Sequence, residues 1–296
     1  MIKQVTAFTF TGKTFFNEDF ILDNTIRPLT KDEDTLVKFS PLYDDTFTQQ
    51  VERFQVAKIT LQQRKPVDED VLSEVTSQRV GEDATLEEYE SMSEDVYREL
   101  MQYTGFKPNK HALVIIDNQS GKLLITTNTK NTDEMMSLVI GSLEGEYEDL
   151  KLVDFEAPLI EKLLTNYLLD ESKNLPDPFM LVEKVNLGSK SEFDKSPKNA
   201  TISIKKEYPS DPETLGFILN RNKVVKLLQL DYDGVVELEF TNKFEIKGIK
   251  FKEDLAFEPE DDSAESLNFM SQYVLQLPVL FDIVNSLEEQ VSLVEY

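Results

Sequence analysis

The sequence predicts an α+β fold in which mixed and antiparallel sheets carry packed helices. Three observations lead there. Short runs alternate with the two-residue period of a strand, as where Val236, Leu238 and Phe240 point one way and Glu237 and Glu239 the other. Pairs of such runs meet across hairpin signals, Asn118-Gln-Ser-Gly121 and Asp233-Gly234. Other stretches set apolar residues three and four apart behind capping residues, which marks amphipathic helices.

Residues 2–10 alternate as a strand, and Val51 to Gln62 reads as another. Pro66 precedes a helix from Asp68 to Val80. Thr85-x-x-Glu88 is a capping box that opens a longer helix with Leu86, Tyr89, Val96, Tyr97 and Leu100 on one side. The other faces of both helices are acidic and should meet solvent. His111 to Asp117 and Lys122 to Asn128 form a hairpin. Asn131-x-x-Glu134 then opens a helix bearing Met135, Met136, Val139, Ile140 and Leu143, and Pro158 opens one bearing Leu159, Ile160, Leu163, Leu164, Tyr167 and Leu168. Stripes that wide suit packing on a sheet.

Pro, Ser, Lys and Asp cluster between Asp170 and Ala200 around one apolar run, Phe179 to Val182, which marks a boundary. Ile202 to Lys206 reads as a strand, and Ser210-x-x-Glu213 caps a helix reaching Asn220. Three strands fill Lys223 to Lys252. In the third, Phe244 and Ile246 face inward, then Ile249 and Phe251, so a bulge is required at Gly248. That leaves Lys247, Lys250 and Lys252 facing outward beside Glu237 and Glu239. From Ser263 onward, Leu267, Met270, Val274, Leu277, Phe281, Val284, Leu287, Val291 and Val294 trace two helices divided at Pro278, packed on their own domain or on a partner. The organisation expected is an N-terminal sheet with acidic helices (1–104), a hairpin with two helices (105–170), a linker-like segment (171–200) and a C-terminal unit with a helical tail (201–296).

A chain of 296 residues, 40% hydrophobic, can bury a large core, so its net charge of −25 does not signal wholesale disorder. The lack of Cys excludes disulfides, thiolate metal sites and a Cys nucleophile. No leader or membrane span is read, and a cytoplasmic protein is expected. The single His, His111, excludes multi-histidine metal sites, and a strand-end His is more often structural than catalytic. No phosphate-binding Gly loop occurs, and the acidic clusters Glu87-Glu88, Glu144 to Asp149 and Glu258 to Asp262 lack the spacing of a Ca²⁺ loop. Asp231 or Asp233 with Glu245-Ile246-Lys247 has the outline of a Mg²⁺-dependent nuclease, although cross-strand ion pairing explains the same residues.

Charge itself points elsewhere. Between Ile202 and Lys252, nine Lys/Arg face eight Asp/Glu, so the acidic excess lies in the rest of the chain. Lys205, Lys206, Arg221, Lys223 and Lys226 could converge on one edge to hold phosphates. A second candidate is Phe106-Lys107-Pro108-Asn109-Lys110, an aromatic among cations leading into a buried strand. No cofactor is implied. An acidic protein of this kind could instead engage a basic partner, for example as a DNA mimic.

The order of these pieces resembles the RdgC family of recombination-associated proteins. The resemblance rests on ISIKKEYPS, the capped helix, NKVVKLLQLDYDGVVELEFTNKFEIKGIKF and the tail, with a second match at YTGFKPNKHALVIIDNQSGKLLITT. Asn222, Thr104 and Pro108-Asn109 depart from the family pattern. The resemblance implies an elongated, curved monomer that pairs into a homodimeric ring around double-stranded DNA. It implies binding without sequence preference, restraint of the RecA recombinase and a place on the nucleoid. Lys205 and Lys206 stand at the family's DNA-facing Lys pair, and Phe106 at an aromatic associated with ring opening.

Overall fold

The alternation at the N-terminus folds as β1 (Gln4–Gly12), with Val5 and Ala7 buried on one face and Phe8 and Phe10 on the other. In the computed structural model, residues 2–31, 33–80, 84–170, 175, 177–189, 201–205, 215–216, 218, 223–253, 255 and 265–294 are described. Along the chain follow β2 (Phe15–Phe16), α1 (Glu18–Asp23), β3 (Thr35–Ser40), β4 (Thr48–Val51) and β5 (Phe54–Gln63). Then come α2 (Glu69–Arg79), α3 (Leu86–Met101), β6 (Lys110–Asp117), β7 (Lys122–Ile125), α4 (Thr129–Gly141), β8 (Leu143–Glu144) and β9 (Tyr147–Leu152). The C-terminal part holds α5 (Ala157–Leu169), β10 (Phe179–Gly188), β11 (Ile202–Lys205), β12 (Val224–Tyr232), β13 (Val236–Thr241), β14 (Ile246–Phe251) and α6 (Glu265–Val294).

The α+β expectation holds: twelve strands join one antiparallel sheet in the order β11-β10-β12-β13-β14-β1-β7-β6-β5-β3, with β4 paired to β5 and β9 to β1. One face packs on α5 and α6, where Leu163, Leu164, Leu277, Leu280 and Phe281 join Val225, Leu228 and Phe240. On the other face, α1 and α4 cover the N-terminal strands, where Ile21, Met135 and Val139 meet Phe39, Ile59 and Val114. The linker-like segment 171–200 contains β10, which is hydrogen-bonded to β11 and β12.

Several local readings are met. Thr85 and Glu88 form the capping box of α3. Asp233 and Gly234, at φ of 52° and 72°, make the β12–β13 turn that such a dipeptide favours. The β13–β14 register shifts between Glu237 and Glu239, opposite Gly248 at φ 63°, which is the expected bulge.

Others are corrected. The run from Val51 is not one strand: Glu52 turns at φ 49° and separates β4 from β5 as a hairpin. The strand from Lys122 ends at Ile125, and α4 is capped by Asn128, whose side chain accepts from the Asn131 amide. Asn131 instead turns its side chain inward to Thr127 and Lys110. Pro278 does not divide the tail. It removes one helical N–H, but fully buried Leu277, Leu280 and Phe281 anchor both sides, and α6 runs through as a single helix. The acidic segment from Glu144 to Asp149 supplies the end of β8 and the start of β9, strands that no apolar alternation announces. The helix expected from Ser210 falls largely outside the described residues. By length and composition α6 could cross a membrane, yet its apolar stripe lies in the core of its own sheet.

Phe281 stacks on Phe54 with ring centroids 4.9 Å apart, tying α6 to β5. Replacing a fully buried Phe by Ala costs about 3–5 kcal/mol. Phe281→Ala should therefore lower the denaturant midpoint markedly while leaving the slope of the transition unchanged.

Candidate nucleic-acid interface

In the C-terminal half, the sheet face turned away from α5 and α6 is charged, and its register decides which cations are free. Lys205 on β11 lies opposite Lys184 on β10, so both project on that face. Lys184 is ion-paired with Glu239, which lies directly opposite Lys247, and Lys247 itself reaches Glu245 at 3.8 Å. Lys252 bridges Asp231 and, at 3.6 Å, Glu237. Lys250 lies opposite Glu237. The outward lysines therefore largely neutralise neighbouring carboxylates, as the alternation suggested.

The cations expected on one edge do not converge. Lys205 is exposed, whereas Lys223 sits before β12 with its ammonium 3.3 Å from Ser189 Oγ. Measured along β10 from Lys184 to Ser189, those positions are about 17 Å apart at strand rise. Lys226 turns to the opposite face, where a β-bulge directs it to α5 and an ion pair with buried Glu161, which also accepts from Asn242 at 2.8 Å. Lys206 and Arg221 lie outside the described residues.

The second candidate is better assembled. The segment before β6 pairs with the end of β5: Lys65 N donates to Gly105 O at 2.7 Å, Lys107 N to Gln63 O at 2.8 Å, and Arg64 bridges Phe106. Phe106 is 57% exposed, and its ring lies 4.9 Å from the Arg64 guanidinium carbon. Lys65 and Lys107 are exposed on either side, and exposed Lys110 donates to Asn131 Oδ1 at 2.8 Å. Among the described residues none of these four cations forms an ion pair. The station is an exposed ring over one cation with Lys65 and Lys107 next to it in the pairing, while Lys110 lies further along, opposite Leu61; an exposed ring among cations suits phosphates and a stacked base.

Sequence reasoning missed Arg64 and Lys65. No local pattern announces a bridge between distant segments, and the one signal, two cations directly before Pro66, reads as a strand end. Arg64 is buried, and its guanidinium donates only to main-chain carbonyls: Glu33 at 3.0 Å, Thr30 at 3.1 Å, Thr104 at 3.4 Å and Met101 at 3.5 Å. It thus satisfies carbonyls at the C-terminal end of α3, where a cation is also favoured by the helix dipole. The loop it grips on the other side is pinned by Arg27 and Glu33. Hydrogen bonds from Arg27 and then from Thr30 hold the Glu33 carboxyl at about 2, so this pairing persists at neutral pH and is lost only as pH falls toward that value.

The nuclease outline is not brought together. Asp231 accepts from Gly234 N at 2.6 Å and pairs with Lys252 at one end of β13, while Glu245 sits beside Thr241 at the other. Four residues of strand, about 13 Å, lie between those ends. Among the described residues, no three His, Asp or Glu side chains gather as a metal-holding group.

A family model described as "Putative exonuclease, RdgC" matches residues 40–293, and the chain belongs to the RdgC family. Membership suggests a recombination-associated, DNA-binding role. The family is generally not an established enzyme. A search of curated proteins finds no match.

Arg64→Ala would leave the carbonyls of two loops and a helix end without their donor. A loss of about 2–4 kcal/mol is expected in denaturant unfolding. Hydrogen exchange should quicken first in residues 101–108, where Arg64 holds the Met101 and Thr104 carbonyls.

Proposed function

From membership of the RdgC family we propose that this chain binds double-stranded DNA without sequence preference, pairs into a homodimeric ring around the duplex, and restrains RecA-promoted strand exchange on the nucleoid in the cytoplasm. The observation that best supports the reading is the Phe106 station, where Arg64, Lys65 and Lys107 meet, with Lys110 further along the strand pair, and none is ion-paired among the described residues of a chain of net charge −25. Lys205 with its sequence neighbour Lys206, and Lys223 with nearby Arg221, would be two further contacts about 17 Å apart, and Lys226 serves the fold through Glu161. From β11 to β6 there are seven strand spacings, at most about 34 Å along the sheet, so one protomer can touch phosphates up to a helical turn apart.

The acidic helices α2 and α3 favour a second reading, a protein that engages a basic DNA-binding partner. Their nine carboxylates face only two arginines, Arg79 and Arg98, and both arginines are already ion-paired. That reading predicts co-purification with a basic protein in a complex dissolved by salt and unaffected by nuclease.

The primary test is binding to a labelled duplex across a salt series. Each phosphate contact contributes about 0.9 to the slope of log K against log salt, so Lys205→Ala/Lys206→Ala should flatten the slope by about 2. Phe106→Ala should weaken binding without changing the slope. Encirclement predicts retention on closed circular DNA at salt concentrations that release linear DNA, and RecA strand exchange should slow as the protein is added. Absence of duplex binding at low salt would sink the proposal.

A further inference from the structure

On the α6 side of β5 and β6 lies a cavity of about 350 Å³ that DNA binding at Phe106 does not use. Ile2, Leu42, Ala112 and Leu113 line it with Phe269 and Tyr273, and its polar lining comes from Lys58, His111, Thr126 and Gln272. It is at the small end of the range for ligand pockets.

Its polar groups are arranged as donors. Lys58 gives one N–H to the Pro41 carbonyl at 2.8 Å and makes no ion pair among the described residues, so its remaining N–H groups are available. His111 turns Nδ1 to Thr60 Oγ1 at 2.8 Å, and Thr60 in turn meets Ser40 Oγ at 2.7 Å. Thr60 engages Nδ1, which leaves Nε2 as the ring nitrogen without a hydrogen-bond partner among the described residues. Thr126 Oγ1 accepts from Leu113 N at 2.8 Å and keeps its own proton to donate. Gln272 has no hydrogen-bond partner among the described residues.

Burial lowers the Lys58 pKa, opposed by Glu265 at the start of α6, and burial and then Lys58 lower that of His111. The other ionisable group in the lining is Tyr273, whose hydroxyl burial keeps protonated. Lys58 beside the His111 imidazole, with no ion-paired carboxylate among the described residues, is an arrangement that a dianion would stabilise. Beside them stands an aromatic wall: Phe269 and Tyr273 lie with centroids 4.6 Å apart, and Phe269 lies 5.5 Å from Tyr43. Such a wall accepts a flat heterocycle.

We propose that this cavity binds a phosphomonoester bearing a nucleobase, with Lys58 and His111 on the phosphate, Thr126 and Gln272 as further donors, and the base against Phe269. The same chemistry is offered by a free mononucleotide and by the phosphorylated end of a DNA strand.

His111 is the only histidine in the chain, so its ring C–H resonance is a native probe. Titrating the full-length protein with adenosine 5′-monophosphate should shift that resonance saturably and raise the apparent His111 pKa by roughly one unit. Inorganic phosphate should do the same more weakly, and adenosine should not. Lys58→Met should weaken nucleotide binding roughly tenfold or more, because a charge-assisted contact is lost. His111→Gln, followed by calorimetry, should weaken it less. Comparing 5′-phosphorylated with 5′-hydroxyl oligonucleotides separates the two sources: a phosphate-dependent shift identifies a strand end, and a response to the free nucleotide alone identifies a small-molecule site. An unmoved resonance at millimolar nucleotide, equal binding of adenosine, or undiminished affinity in Lys58→Met would overturn the proposal. The adenosine comparison uses the unaltered protein and decides the matter even if a variant fails to fold.

Discussion

The pairing of β1 with three strands is the constraint on which the rest of this structure depends. One edge takes β7; the other takes β14 near Gln4 and Val5 and β9 from Phe8 onward. Without the short β1–β14 ladder, the strands of the two halves would form separate sheets. The bulge at Gly248 belongs to this join, because the residue after it, Ile249, donates to Lys3 O at 3.0 Å. Helix α6 reinforces it from one face, reaching β5 through Phe281 and β7 through the Lys122–Glu288 ion pair. The family match begins at residue 40, so the strand that makes the join lies ahead of the matched region.

The acidic excess bears on how cations are used. Lys122, Lys184, Lys226 and Lys252 are each paired with a carboxylate at a half-buried or buried site. Removing one partner of such a pair is costly because the other charge stays in a poorly solvated place, even where the pair itself adds little. Those lysines are therefore part of the fold. In the C-terminal stretch where charge balances, Lys226, Lys247 and Lys252 are ion-paired and Lys250 faces Glu237, whereas the cations grouped around Phe106 have no ion-paired carboxylate among the described residues.

This explains how much of the molecule could be read from its sequence. Alternation, the Asp233-Gly234 turn and the Gly248 bulge fixed β12 to β14 because each is decided within a few residues. The capping box of α3 was legible for the same reason. Strand β9 was hidden because Glu148, Asp149 and Lys151 expose it on both faces and leave no apolar alternation. Strand β10 was hidden by the Pro and Ser around it. The Phe106 station was half legible: its aromatic and lysines are contiguous, but the Arg64 beneath it arrives from another strand end. Likewise Lys226 looked free because its partner Glu161 belongs to a helix assigned to a different unit.

The placement of α2 and α3 gives the cationic station a direction. Both helices join the sheet at one point, α2 just after Lys65 and α3 just before Gly105, and Arg64 binds carbonyls at the end of α3. The hairpin thus has cations at its base and nine carboxylates along its length. Arg64 has no ion-paired carboxylate among the described residues, and its guanidinium lies against the exposed Phe106 ring. A polyanion approaching this end of the molecule is attracted to the base of the hairpin and repelled from its length. The same chain segment therefore both holds the aromatic in place and sets a run of carboxylates beside the cations.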